Sequence, residues 1–312
     1  MNLLAAQHFD TVGKLARNVQ FADYLDGKKI YPVGLEISPV GTCNADCPFC
    51  FYTHGKDGPA KHRKVWIERI PLLQCLAQAA LLGIKSITWT GGGEPSLHFK
   101  FELMVERAHD LGLAQGILTN ALELPLYKPE FLEWARITVT NKSFHRGALE
   151  RIRDKVKTVG FVFNYTGVRD IERIWETLHL AEDLQADYVQ VRPALGYLGA
   201  TVDILPPRIE HPLLYMPREK FQEASRKHGY TQCEGFHFQP FIWETGSVDV
   251  CPYMSKWENY HLGNIYKESL ADILDRLPDS VPVSEFCQVC CRHHETNKAL
   301  HRARTLENVR FP

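Results

Sequence analysis

Neither sign of charge is in surplus in this chain of 312 residues: 36 Lys and Arg face 37 Asp and Glu, a formal net charge of -1. A surface so balanced gives a polyanion nothing to collect on, so nucleic acid is not an expected partner. Long apolar runs are missing as well. None approaches the ~20 residues that cross a bilayer, and the opening Met1-Asn2-Leu3-Leu4-Ala5-Ala6 lacks the basic end and the apolar length of a signal peptide. The expectation is a soluble, cytoplasmic protein with no membrane partner. Low-complexity tracts and internal repeats are absent too, and the length exceeds one average domain.

What the chain does have is cysteine. There are nine, a number that in a cytosolic protein points to metal rather than to disulfides. Three stand in the run Cys43-Asn44-Ala45-Asp46-Cys47-Pro48-Phe49-Cys50, so one tight loop can offer three thiolates to an iron-sulfur cluster. A cube-type cluster is normally closed by four thiolates; three leave one iron open to a substrate or cofactor. Two plainer readings stand beside this one. A structural zinc site prefers C-x2-C pairs closed by a second pair or by histidines, and His54 lies too close in sequence to complete one. Buried cysteines can also be inert packing.

A second signal, Gly91-Gly92-Gly93-Glu94-Pro95, follows the strand-like run 84–90 and comes about 40 residues after the triad. Consecutive glycines permit positive φ and remove bulk, so backbone can approach a small amino-acid-like ligand while Glu94 supports the turn. Alone, such a turn is an ordinary loop. With the cysteine loop it resembles the radical S-adenosylmethionine (radical SAM) enzymes, whose pattern is Cys-x3-Cys-x-aromatic-Cys after the first strand and a GGE-type turn after the second. The resemblance implies that Cys43, Cys47 and Cys50 hold a [4Fe-4S] cluster whose open iron is chelated by the amine and carboxylate of SAM. It further implies that Phe49 packs near the adenine and that Gly91, Gly92, Gly93 and Glu94 hold SAM. Asn120, closing Leu118-Thr119-Asn120, falls where the family places polar contacts to SAM; an Asx turn ending a strand explains it equally well.

Strand-like and helix-like runs alternate at a βα spacing, which makes the fold class α/β. Strands are expected over 33–38, 84–90, 114–119, 137–141, 159–165 and 188–191, and helices over 67–82, 99–111, 148–156 and 171–184. Six strands with these helices suit an open, partial (β/α)6 radical SAM barrel over residues 31–210, preceded by a helical extension over 1–30. Parallel barrels build their sites at the carboxyl ends of strands, where both motifs fall. Prolines 206, 207, 212 and 217 mark a boundary, after which a short helix is expected over 217–229.

Five of the nine cysteines lie in the last third: Cys233, Cys251, Cys287, Cys290 and Cys291. They read Cys233-x12-Gly246-x4-Cys251, then His261-Leu262-Gly263-Asn264-Ile265, then Cys287-x2-Cys290-Cys291. This layout resembles the SPASM and twitch extensions of radical SAM proteins. Since no cysteine follows Cys291, the shorter, twitch-like form is expected, a small α+β module over 211–312. The resemblance implies one auxiliary [4Fe-4S] cluster on Cys233, Cys251, Cys287 and Cys290, in a spacing similar to that of the dehydrogenase of aminocyclitol (2-deoxy-scyllo-inosamine) biosynthesis. A zinc ribbon is the alternative, although seventeen residues between Cys233 and Cys251 do not make a ribbon knuckle. Cys291 can replace Cys290, donate a hydrogen atom, or be a small buried residue. Cys75 lies in an apolar helical run and reads as core.

By this resemblance a reduced cluster splits SAM to methionine and a 5′-deoxyadenosyl radical, which takes a hydrogen atom from a small polar substrate; flavodoxin or ferredoxin is the expected electron donor. Four cysteines at the second cluster leave no open iron, which favours its acting as electron acceptor. Oxidation of a carbohydrate or aminocyclitol alcohol to a ketone is therefore the leading expectation. Epimerisation of a sugar-like substrate with a cysteine hydrogen donor, peptide modification, and a cluster protein without turnover are the alternatives. Substrate-facing candidates by strand-end position are Ser143 and His145, Asn164 and Tyr165, and Gln190 and Arg192. Arg192 can hold a polar substrate or the SAM carboxylate, or serve only in a salt bridge; His145 reads as a helix-start residue.

Overall fold

The structure is a computed structural model, and it describes residues 3–50, 52, 64–123, 127–140, 142–194, 205–223, 228–254, 258–283, 287 and 292–307. Three short helices come first: α1 (Leu3–Ala6), α2 (Thr11–Ala16) and α3 (Val19–Leu25). The chain then alternates through β1 (Gly34–Ile37), α4 (Arg69–Leu81), β2 (Ser86–Trp89), α5 (Phe101–Asp110), β3 (Ala114–Thr119), β4 (Trp134–Thr138), α6 (Arg146–Lys155), β5 (Thr158–Tyr165), α7 (Ile171–Asp183) and β6 (Tyr188–Pro193). These six strands lie side by side in sequence order, each parallel to the next. Helical crossovers make that possible, because parallel neighbours cannot be joined by a tight turn.

β4 starts at Trp134, three residues before the expected start at Ile137. The reason is Trp134 itself, whose ring occupies the space over Gly116 in β3, where a Cβ would lie 1.9 Å from it. A bulky residue pairs here with a residue that has no side chain. Asn141, the expected last residue of this strand, lies outside the described residues.

The sheet continues past six strands at both edges. β7 (Leu214–Tyr215) adds to β6 in parallel. At the other edge β9 (Phe241–Ile242) runs parallel to β1, and the hairpin of β10 (Ser247–Asp249) and β11 (His261–Asn264) extends it, giving the order β11-β10-β9-β1-β2-β3-β4-β5-β6-β7. Strands from before and after residue 210 therefore share one sheet. The remaining elements are α8 (Arg218–Glu223), β8 (Gln232–Cys233), α9 (Leu270–Asp275), β12 (Val281–Pro282) and α10 (His294–Thr305), with β8 and β12 forming a separate antiparallel pair.

The two-residue period of a strand sorts the side chains. Leu35, Ile37, Ile87, Trp89, Ile117, Val189 and Val191 join the helices in the main hydrophobic core. Glu36, Thr88, Arg136, Val162, Asn164, Gln190 and Arg192 alternate with them and belong to the opposite, inner face. Register keeps them level: Glu36 stands beside Thr88 and Phe241, Val162 beside Gln190, and Asn164 beside Arg192. Near the strand starts this face is closed by the N-terminal segment. Phe9 stacks on Tyr215 at 4.2 Å, and the Arg136 guanidinium lies over the rings of Phe9, Trp134 and Tyr188 at 5.2, 5.5 and 5.9 Å. Among the described residues no helix is long and apolar enough to cross a membrane.

The contact of Trp134 with Gly116 makes a direct prediction. Gly116→Ala should lower unfolding stability by about 1–3 kcal/mol through overpacking, and adding Trp134→Leu should restore part of the loss. Denaturant unfolding of the two variants checks this; equal stability of wild type and Gly116→Ala would contradict the packing described.

Candidate active site

The loop that follows β1 carries the cysteine triad, and the turn that follows β2 comes up against it. Gly93 is where they meet: a Cβ there would lie 2.1 Å from the Thr42 carbonyl oxygen, and backbone cannot yield as a flexible side-chain tip can. The Glu94 N–H donates to that same oxygen at 2.9 Å. Gly91 has φ +153°, and a Cβ on it would meet Ser38 Oγ at 2.3 Å. Only glycine serves at either position. The Ser38 hydroxyl then accepts from the Gly92 N–H at 3.2 Å and donates to Glu244 Oε2 at 3.1 Å.

Glu94 holds the turn in place from below. The residue is 3% exposed, and both carboxylate oxygens accept hydrogen bonds. Oε1 accepts from the hydroxyls of Thr119 at 2.7 Å and Ser96 at 2.8 Å, and Oε2 accepts from the Asn120 N–H at 2.7 Å. Burial pushes its carboxyl above the ordinary range, and these donors act in the opposite sense. The ends of β2 and β3 and the cysteine loop are thus tied through one residue.

Asn120 is committed to that junction. Its Oδ1 accepts from the Leu122 N–H at 3.1 Å, the Asx turn considered above, while Nδ2 donates to Asn44 Oδ1 at 2.8 Å and approaches Cys43 Sγ at 3.6 Å. The Ala45 N–H also donates to Cys43 Sγ, at 3.4 Å. Cys47 is buried and Cys43 and Cys50 are partly so; the Cys50 N–H closes a turn on the Cys47 carbonyl at 2.9 Å. Burial pushes the Cys43 thiol up to about 11, with Glu94 and Cys50 adding to the shift. Among the described residues no three His, Cys, Asp or Glu side chains stand ready to grip a single metal ion. The triad nevertheless has what an iron-sulfur group needs: three thiols on one loop and N–H donors aimed at the Cys43 sulfur. Phe49 lies half-buried in the same loop, and Tyr52 just beyond it meets Trp243 edge to face at 5.9 Å.

A second set of thiols gathers in the last third. β8 places Cys233 opposite Val281 of β12, Cys251 follows β10, and Cys287 follows β12. The charges of Cys233 and Cys287 both act on Cys251, so the three share one neighbourhood. Asn297 of α10 serves this group: its Nδ2 donates to Cys233 Sγ at 3.2 Å while Oδ1 accepts from the N–H groups of Glu234 and Gly235 at 2.8 and 2.9 Å. Burial pushes the Cys233 thiol up to about 11. Cys290 and Cys291 lie outside the described residues. Cys75 sits in the main core, its thiol pushed up by burial to about 12, and is packing.

Several strand-end candidates are redistributed. Asn164 and Arg192 meet on the inner face, where Arg192 Nε donates to Asn164 Oδ1 at 2.9 Å. Gln190 lies on this face too, 7% exposed, with a buried Oε1 that has no partner among the described residues. Tyr165 does not join them: one residue on from Asn164 it must point the other way, and it packs edge to face against Phe221 at 5.8 Å in the helix-side core. Ser143 is exposed and lines a cleft of about 450 Å³ with residues of α6 and α7 such as Leu149, Arg173 and Leu180. His145 caps α6, its Nδ1 accepting from the Ala148 N–H at 3.2 Å.

The inner face also holds residues that the sequence reading passed over. Glu36 pairs with Arg292, which arrives from the segment after the last cysteines and lies over the Phe241 ring at 5.7 Å. A lone carboxylate in the apolar strand Gly34-Leu35-Glu36-Ile37 was the available signal.

Similarity to solved structures bears on this arrangement. SuiB of Streptococcus suis, bound to S-adenosylmethionine, superposes with a TM-score of 0.59 at 16% identity, over 88% of this chain and 72% of that one. In its complex with the precursor peptide SuiA the same protein gives 0.58 at 17% identity, over 80% of this chain and 66% of that one. Native anSMEcpe with bound AdoMet gives 0.53 at 15% identity, over 80% and 82% of the two chains. This is the radical SAM fold. The match to the SuiB–SuiA complex thus spans just under two thirds of that SuiB chain. BtrN in complex with AdoMet and 2-DOIA aligns at 0.49 with 15% identity, over 90% and 95% of the two chains. No protein-family model and no curated protein matches the sequence. Within the radical SAM fold the triad loop and the glycine turn stand side by side at the carboxyl ends of β1 and β2, where parallel barrels carry their sites.

Glu94 offers the sharpest test of this geometry. Glu94→Gln replaces one acceptor oxygen by an NH2 facing a donor, and should cost about 1–3 kcal/mol of unfolding stability. Urea titration of the metal-free protein measures it; a loss within error of zero would contradict the account of the turn.

Proposed function

We propose that this chain is a radical SAM enzyme that takes a hydrogen atom from a small polar substrate lying on the inner face of the sheet. The observation that carries the reading is the junction at Thr42, Gly93 and Glu94, which presses a three-thiol loop against a glycine turn at the strand ends of this fold. Cys43, Cys47 and Cys50 would hold a [4Fe-4S] cluster, with SAM against Gly91, Gly92 and Gly93. Bound there, the cluster would supply the electron for cleaving SAM to methionine and a hydrogen-abstracting fragment. The chain's own part is positional. Tyr52 and Trp243 exclude water beside the glycine turn, Asn120 and the Ala45 N–H steady the Cys43 sulfur, and Asn164 and Arg192 offer polar contacts to substrate.

Cys233, Cys251 and Cys287, with Cys290 as fourth ligand, would hold an auxiliary [4Fe-4S] cluster; it would supply an electron acceptor for a carbohydrate or aminocyclitol alcohol that, having lost a hydrogen atom, gives up a proton to solvent and an electron to become a ketone. A flavodoxin or ferredoxin would supply the first. A second reading, peptide modification, draws support from the likeness to SuiB in complex with the precursor peptide SuiA.

Anaerobically reconstituted protein given SAM and a strong reductant tests the proposal. Release of 5′-deoxyadenosine by wild type and a fall to background in Cys47→Ala is the expected outcome; SAM left intact by the iron-loaded protein sinks the reading. A substrate product two mass units lighter indicates dehydrogenation, and one of unchanged mass with solvent deuterium indicates epimerisation.

A further inference from the structure

Buried polar atoms in folded proteins are nearly always paired, and an ionic donor left unpaired calls for an explanation. Arg292 is such a case. Its Nη2 pairs with Glu36 Oε2 and donates to the Gln239 carbonyl at 3.2 Å. Nε and Nη1 are buried and have no partner among the described residues. The guanidinium rests over the Phe241 ring, a residue level with Glu36 on the inner face, so the unpaired donors belong to the same face as the unpaired Gln190 Oε1. Charge on this face is uneven. Strands β1 to β6 carry one carboxylate on it, Glu36, on which three guanidiniums act, those of Arg292, Arg136 and Arg192; Asp249 of β10, level with Phe241, is already engaged by Trp243, Ser247 and His261. A third carboxylate, Glu244, stands above the strand ends and is bonded to Ser38.

Arg292 is also within electrostatic reach of residues beside both thiol groups. Its charge acts on Tyr52, next along the chain from the triad loop, and on Cys251. A ligand on Arg292 would therefore lie where the radical SAM reading puts the substrate.

We propose that Arg292 is a substrate-binding residue, and that the substrate carries an oxyanion, a carboxylate or a phosphate, which takes the free Nε or Nη1 donor. Glu36, held on Nη2, opposes that anion through its negative charge and keeps the guanidinium in position when the site is empty. Gln190 Oε1 accepts from a hydroxyl or amide of the same ligand. This rests on the proposed function only for the use of the site; binding of the anion needs neither SAM nor an electron.

The test uses the full chain, reconstituted anaerobically, with SAM and reductant left out. Inorganic phosphate and, separately, acetate are titrated at constant ionic strength against chloride, with calorimetry as the readout. One of the two should bind, and which one decides between a phosphate and a carboxylate on the substrate. Arg292→Gln should weaken that binding by about tenfold or more, the loss of one charge-assisted hydrogen bond. Glu36→Gln should tighten it several-fold, because it removes the opposing charge. A purely structural ion pair predicts no tightening in Glu36→Gln, and this variant decides the matter if Arg292→Gln does not fold. Absence of binding by either anion, or equal binding by wild type and Arg292→Gln, overturns the proposal. Loss of SAM cleavage with anion binding intact would instead count against the proposed function alone.

Discussion

A single buried carboxylate sets the geometry at the top of the sheet. Glu94 takes hydrogen bonds from Thr119, Ser96 and Asn120, and its own N–H reaches the Thr42 carbonyl, so three chain segments meet at one residue. Burying an ionisable group without partners is costly; here the partners come from each element that must be aligned. Gly93, with no room for a Cβ against Thr42, lets the turn come close enough for the bond to form. The cysteine loop is thereby held at a set distance from the ends of β2 and β3.

The last third of the chain completes the same sheet rather than hanging from it. β9 lies along β1, Trp243 reaches Tyr52, and Arg292 reaches Glu36. The Leu262-Gly263-Asn264-Ile265 segment contributes to this by packing and by turn chemistry: Asn264 Nδ2 donates to the Thr245 carbonyl at 3.2 Å, its Oδ1 accepts from the Tyr266 N–H at 2.8 Å, and the Tyr266 hydroxyl accepts from the Glu68 N–H at 2.8 Å. Cys251 sits at the end of β10, so the second thiol group is built on the edge of the sheet that also carries the first.

Much of this was legible beforehand. The apolar runs placed β1, β2, β3, β5 and β6 and the four helices packed on them to within a few residues, because alternation and helical spacing are local properties. The triad and the glycine turn were equally plain, being short motifs whose chemistry depends on spacing alone. What stayed hidden depends on pairing at long range. β9 and β10 have two and three residues, too few for a pattern, and exist because β1 offers an edge. Tyr165 and Asn164 were taken together although a strand must separate them, and Ser143 lay beyond a strand whose start Trp134 had shifted. Glu36 and Arg292 are far apart in sequence, and only the folded chain shows that they meet.

The central proposal is that two thiol groups joined by one sheet each hold an iron-sulfur cluster. Iron and acid-labile sulfide per chain after anaerobic reconstitution test it most directly, in wild type and in the Cys43, Cys47 and Cys50→Ala variant. About eight irons in wild type, falling to about four in the variant, is the result the account predicts. About four falling to none would remove the auxiliary cluster, and no iron in wild type, or the same iron in both, would contradict the account at its root.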